Sequence, residues 1–320
     1  MGLIARLSLG IVSVLTISLS SACSQEESTP NIRATLFLLD SSKSLAISVS
    51  QREQQLRNRL TRAFDEKEAI YFDFVRNNYS KQVILPLISM QTIVRVNDEI
   101  LNYAKDERVQ KETKELVSEE WSKALLNSKT TSTCINDVTN SLEINSVLAQ
   151  GSRVIAQSIC ISAEKAKSTF TNIKSIGSGV ALQDGYIGSD IEGAVLRGLG
   201  RLESDSRNLF NRELKPVGVK LSLVISSDMM QRGADGEKII DAIDGMTEEE
   251  IEEFINRERL PLESPKLVPS VKIDGWLSTK RNLSESDRQL IELYWKKWFQ
   301  NLNLDEPDFG FGVMDWSVDI

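Results

Sequence analysis

An α/β fold is predicted by three observations. Ala34-Thr-Leu-Phe-Leu-Leu-Asp40 is a short apolar run stopped by an acidic residue and a cluster of hydroxyls, the pattern of a buried central strand. Val219-Lys-Leu-Ser-Leu-Val-Ile225 alternates and then turns apolar, which reads as a second strand. Between them Ile191, Val195, Leu196, Leu199 and Leu202 follow helical spacing. In an open α/β sheet, ligands bind beyond the carboxyl ends of the strands. The residues that close each apolar run are therefore the first candidates for function.

The first run closes on Asp40-Ser-Ser-Lys-Ser44. Asp40, Ser42 and Ser44 alternate, so one carboxylate and two hydroxyls can converge on one point from a tight loop. Hard oxygen ligands gathered in this way suit Mg²⁺ or Ca²⁺. A strand followed by Asp-x-Ser-x-Ser resembles the metal-ion-dependent adhesion site of von Willebrand factor A-type domains. Two further segments extend the resemblance. Gly188-Ser189-Asp190-Ile-Glu-Gly-Ala-Val is similar to the family's Gly-Thr-Asp-Ile-x-x-Ala-Leu, with Ser189 at the threonine position and Ser189 or Asp190 as helix N-cap. Ser226-Ser227-Asp228, closing the second strand, is similar to the family's strand ending in Thr-Asp-Gly.

The resemblance implies a doubly wound, mostly parallel, Rossmann-like sheet. It implies that Ser42 and Ser44 ligate Mg²⁺ (or Mn²⁺ or Ca²⁺) directly, that Ser189 does so directly or through water, and that Asp40 and Asp228 orient bound waters. A protein partner would supply a carboxylate to the remaining position. The implied function is metal-dependent protein binding in adhesion or envelope assembly, without catalysis. A metal-dependent phosphoester hydrolase and a structural lipoprotein with a decayed site are the alternatives. This chain departs from the family pattern in three places. Serine stands at 189, Met229 follows Asp228 where the family has glycine, and Ser44 and Ser189 lie 145 residues apart.

Composition narrows the chemistry further. The 320 residues contain no histidine, which excludes Ser-His-Asp and Cys-His catalysis and His-bound zinc. A formal charge of −8 argues against a nucleic-acid partner, and 41% hydrophobic residues support a sizeable core. Residues 1–23 read as an export signal: Arg6 precedes an apolar segment over 7–19, too short to span a bilayer. Leu19-Ser-Ser-Ala-Cys23 resembles a lipoprotein box, with Cys23 lipidated and anchoring the chain to a bacterial envelope membrane through a polar tether over 24–31. Cleavage after Ala22 by an ordinary signal peptidase is the other reading. Cys134 and Cys160 remain, a candidate disulfide in an exported protein or else two isolated thiols.

The remaining elements read in order as follows. A helix is expected over 47–67 and a turn over 73–82. Strands are expected over 83–88, demoted to an edge by Pro86, and over 91–96, as an antiparallel pair. The first part of the domain thus covers 32–96, a mostly helical insertion 97–175, and the second part 176–320. In that second part Thr247-Glu-Glu-Glu250 reads as a capping box opening an acidic helix. Residues 266–276 read as a strand and 284–301 as an aromatic helix, with a last strand or docked tail over 308–320. Ser162-Ala-Glu-Lys165 matches the Ser-x-x-Lys of penicillin-recognising enzymes, but no partner motif accompanies it. Gly177-Ser-Gly179 lacks the third glycine of a dinucleotide site and reads as a turn.

Overall fold

The fold is taken from a computed structural model. It describes residues 32–40, 49–75, 85–127, 129–145, 148, 150–177, 190–210, 218–230, 238–257, 268–275, 283–310 and 314–317. The architecture is α/β, around a six-stranded, mostly parallel sheet of order β3-β2-β1-β4-β5-β6. Strand β1 (Ile32–Asp40) lies at the centre, with β2 (Glu68–Val75) and β4 (Val219–Ser226) parallel on either side. Strands β5 (Ser270–Asp274) and β6 (Asp308–Gly310) continue the parallel order, and β3 (Leu85–Ile88) closes the other edge antiparallel to β2. All of β1 is buried except Arg33, which is half-buried. This is why it reads as a continuous apolar run rather than an alternating one.

Two helices show how the faces are covered. Helix α1 (Val49–Thr61) turns Arg52, Leu56, Arg59 and Leu60 inward at helical spacing. Its Arg59 makes a bidentate bond to buried Glu68 at 2.8 and 2.7 Å, and Thr35 also donates to that carboxylate. Helix α6, Ile191–Phe210 in the second half of the chain, meets the opposite face. There Tyr71 donates to Asp205 at 2.9 Å and accepts from the Met90 amide. Burial and the Asp205 charge push the Tyr71 phenol well above its ordinary range.

The central stretch departs from the sequence reading. Residues 91–96 are not a strand but lie inside α2 (Met90–Tyr103). Ser89 caps that helix by accepting from the Thr92 amide, and Met90, Ile93, Val94, Asn97 and Ile100 form its buried stripe. The β-branched residues suggested a strand, but the cap and the burial of one stripe outweigh that propensity. The boundary read at 96/97 therefore falls within a helix. The antiparallel partner of β3 is β2, an aromatic strand over 68–75 that sequence reading left unassigned; the turn expected to begin at 73 starts no earlier than its end.

Helices α3 (Glu107–Leu126), α4 (Thr131–Asn145) and α5 (Ser152–Gly177) follow, so the segment between the two sheet halves is helical. Helix α5 contacts α1, α2, α3, α4 and β3. Cys134 of α4 and Cys160 of α5 are joined in a disulfide with Cα atoms 5.9 Å apart. Helices α7 (Ile239–Ile243) and α8 (Glu248–Arg257) come between β4 and β5. Thr247 and Glu250 exchange both bonds of a capping box at the start of α8. Helix α9 (Glu285–Asn301) opens on a second box between Ser284 and Asp287 and buries Ile291, Tyr294, Trp295, Trp298 and Phe299. No described helix is long and apolar enough to cross a membrane.

The disulfide closes a loop of 26 residues. The chain-entropy relation for such a loop gives about 3.5 kcal/mol. A C134S/C160S variant should lose about that much stability in urea titration while keeping its far-ultraviolet spectrum. A loss below ~0.5 kcal/mol would show that helix packing alone holds α4 on α5.

Candidate functional site

Parallel pairing brings the strand ends together. Leu39 pairs with Ser226, and Ser226 with Asp274, so the chain leaves β1, β4 and β5 at one level. Ser227 then lies beside Asp40, and its hydroxyl donates to Asp40 Oδ2 at 2.9 Å. Asp40 and Asp228 are only 3% and 5% exposed. Among the described residues Asp228 forms no ion pair and accepts one hydrogen bond, from the Met230 amide to Oδ1 at 3.2 Å. No cation among the described residues offsets the burial of this side chain.

The turn after Asp228 is built without glycine. Met229 adopts φ 59°, the left-handed region that side chains rarely enter. It is held there from three directions. Its amide donates to Ser227 Oγ at 3.0 Å, its carbonyl accepts from the Trp295 indole at 2.8 Å, and its side chain is fully buried. Backbone strain of about 1–3 kcal/mol persists only where the surroundings over-determine it, and here α9 supplies that constraint.

Helix α9 also holds the start of α6. Tyr294, adjacent to Trp295, donates to Glu192 in the first turn of α6. Asp190 is the N-cap, accepting from the Gly193 amide at 2.8 Å, and Arg197 lies 3.7 Å from its carboxylate. A Cβ at Gly193 would meet Asp190 Oδ2 at 1.9 Å, so a side chain there would push the capping carboxylate aside. Through Tyr294 and Trp295, one helix fixes the entry to α6 relative to the turn of Asp228.

Of the residues singled out from sequence, Asp40 and Asp228 are therefore held at adjacent strand ends. Ser42, Ser44, Ser189 and Cys23 lie outside the described residues. Among the described residues, no group of three or more His, Cys, Asp or Glu side chains is placed to hold a metal ion. The expected ligand set draws only two of its five members from those types. The buried carboxylates and the Ser227 hydroxyl brought together here are chemically suited to a hard cation.

A third strand-end carboxylate, Asp274, escaped the sequence reading and has a different role. Arg52 of α1 pairs with it, and both side chains are completely buried. The Met314 amide and the Trp316 indole also donate to Asp274, each at 2.8 Å. Arg52 reaches on to the Met314 carbonyl at 2.6 Å and stacks 4.2 Å from the Trp316 ring centre. The Asp274 carbonyl accepts from the Ser227 amide at 3.1 Å. Asp274 thus ties α1, the C-terminal tail and the turn beside Asp40 to one point. The signal in the sequence was Ile273-Asp-Gly275, an apolar strand ending in aspartate and a glycine that takes φ 80°.

No protein-family model, curated protein or solved structure matches the chain.

Burial pushes the Asp274 carboxyl above its usual range despite the opposing pull of Arg52, and it pushes the Arg52 guanidinium down to about 10. A raised carboxyl pKa contributes stability that is full below the unfolded value and is lost as pH rises through the folded one. Arg52→Met removes the countercharge and raises Asp274 further. The variant should lose about 3 kcal/mol near pH 7, and the deficit should shrink toward about pH 4 as Asp274 protonates. R52M/D274L should recover part of the loss, because no charge is left buried alone. Urea titrations at both pH values check this; a deficit that widens on acidification contradicts the assignment.

Proposed function

We propose that the chain is an extracytoplasmic lipoprotein whose strand-end site binds a divalent cation, Mg²⁺ first, and through it a carboxylate of a protein partner. The observation that carries this reading is Asp228: buried, unpaired among the described residues, and one residue from the serine that bonds buried Asp40. A bound cation would supply the missing positive charge. Mg²⁺ keeps several waters and accepts incomplete protein cages. Two carboxylates that orient waters, with Ser42 and Ser44 as direct oxygen ligands and Ser189 bound directly or through water, suit that preference.

The fold reading behind this proposal is a doubly wound domain of the von Willebrand factor A type. A central β1 flanked by β2 and β4, with α1 and α6 on opposite faces, supports it. The proposed anchor is a lipidated Cys23, facing the periplasm or cell surface, with adhesion or envelope assembly as the role and no nucleic-acid partner. A phosphoester hydrolase is the weaker reading, since a chain without histidine shows no evident general base beside the site.

Thermal unfolding tests the metal. A ligand that binds only the native state at a hundred times its Kd adds about 2.7 kcal/mol, roughly 5 °C for a chain of this size. Mg²⁺ or Mn²⁺ should raise Tm by that order over EDTA. Asp228→Asn should abolish the shift while leaving the metal-free Tm equal or higher, because a buried charge is removed. An unchanged wild-type Tm defeats the proposal, and metal-dependent turnover of simple phosphoesters would favour the hydrolase.

A further inference from the structure

A groove of about 740 Å³ lies between α2 and α5, closed at one side by Leu209 near the end of α6. It is remote from the strand-end site. Asp190 precedes the first turn of α6 and Leu209 lies in its last, and a helix of 20 residues spans roughly 30 Å. The volume falls within the range of small-molecule and peptide pockets.

Many surface cations are paired along their own helix, as in Arg108–Glu112, Arg207–Glu203 and Lys296–Glu292. Arg95, Asp98, Glu99 and Lys165 all line the groove, yet among the described residues none of them forms an ion pair. Burial and neighbouring Glu99 push the Asp98 carboxyl above its usual range. It is a half-buried acid that no cation among the described residues pairs with.

These charges are also sorted by position. Helices α2 and α5 run antiparallel, because Gly151 just before α5 abuts Glu99 and Tyr103, whereas Ser162 lies 3.4 Å from Thr92 near the start of α2. Lys165, one turn beyond Ser162, therefore sits toward the positive, N-terminal end of α2. There the Thr92 and Ser162 hydroxyls add donors and the helix dipole favours an anion. Asp98 and Glu99 lie farther along α2, toward its C-terminal half. Thr92 and Glu99 are seven residues apart, about 10 Å at 1.5 Å per residue. An extended peptide advances about 3.3 Å per residue, so roughly three residues fill that span. Gln157 and Arg95 lie between, suited to main-chain carbonyls and amides.

We infer that this groove binds a short peptide with free ends, its ammonium at Asp98 and Glu99 and its carboxylate at Lys165, Thr92 and Ser162. This reading is independent of the metal site. The probe is trialanine in four forms, titrated calorimetrically against the full chain: free, N-acetylated, C-amidated and doubly blocked. Free trialanine should bind, and blocking either end should weaken it about tenfold, the loss of one charge-assisted contact. D98N/E99Q should weaken the free form but leave the N-acetylated form unchanged, while Lys165→Gln does the same for the C-amidated form. All three side chains are at least partly exposed, so the variants should retain the wild-type Tm. Equal binding of all four forms, or no binding of free trialanine at millimolar concentration, overturns the inference.

Discussion

The rest of the structure depends on burying β1 between two parallel neighbours. A strand covered on both faces has no water for its peptide groups, so every N–H and C=O must find a ladder partner. β2 and β4 supply those partners along nearly the whole of β1. Parallel pairing makes the strand ends coincide, and that is how Asp40, Asp228 and Asp274, distant in sequence, come to share one edge of the sheet.

Burial then separates these carboxylates into two kinds. Asp274 receives an arginine and two N–H donors and becomes a structural anchor for α1 and the tail. Such a pair adds little net stability, because desolvation consumes most of the attraction, but it fixes position. Asp228 receives one amide and no cation among the described residues. The same chemical group at neighbouring strand ends is thus saturated in one place and open in the other, and the open one is the candidate for a ligand.

Helix α9 holds the open site in shape. Its aromatic cluster is core, as the spacing of its Trp, Tyr and Phe residues implied, but two polar tips reach outward from it. The Trp295 indole holds the strained turn at Met229, and the Tyr294 hydroxyl holds the first turn of α6. Periodicity identifies a buried aromatic face; it does not reveal which backbone carbonyl lies opposite a given N–H.

Several features were legible because they rest on local chemistry. The continuous apolar run of β1, the capping box at Thr247 and an N-cap at Ser189 or Asp190, which the structure places at Asp190, are encoded within a few residues. Others were not. No turn signal separates β2 from α1, and the β-branched residues over 91–96 give the first half of α2 the look of a strand despite its cap at Ser89. Sequence alone determined that acidic and hydroxyl residues end the apolar strands, since binary pattern and turn chemistry are local. Only the tertiary structure decided that Arg52 neutralises Asp274 and that Asp228 is unpaired among the described residues, because charge pairing depends on which helix packs over which strand end, and no spacing along the chain specifies that.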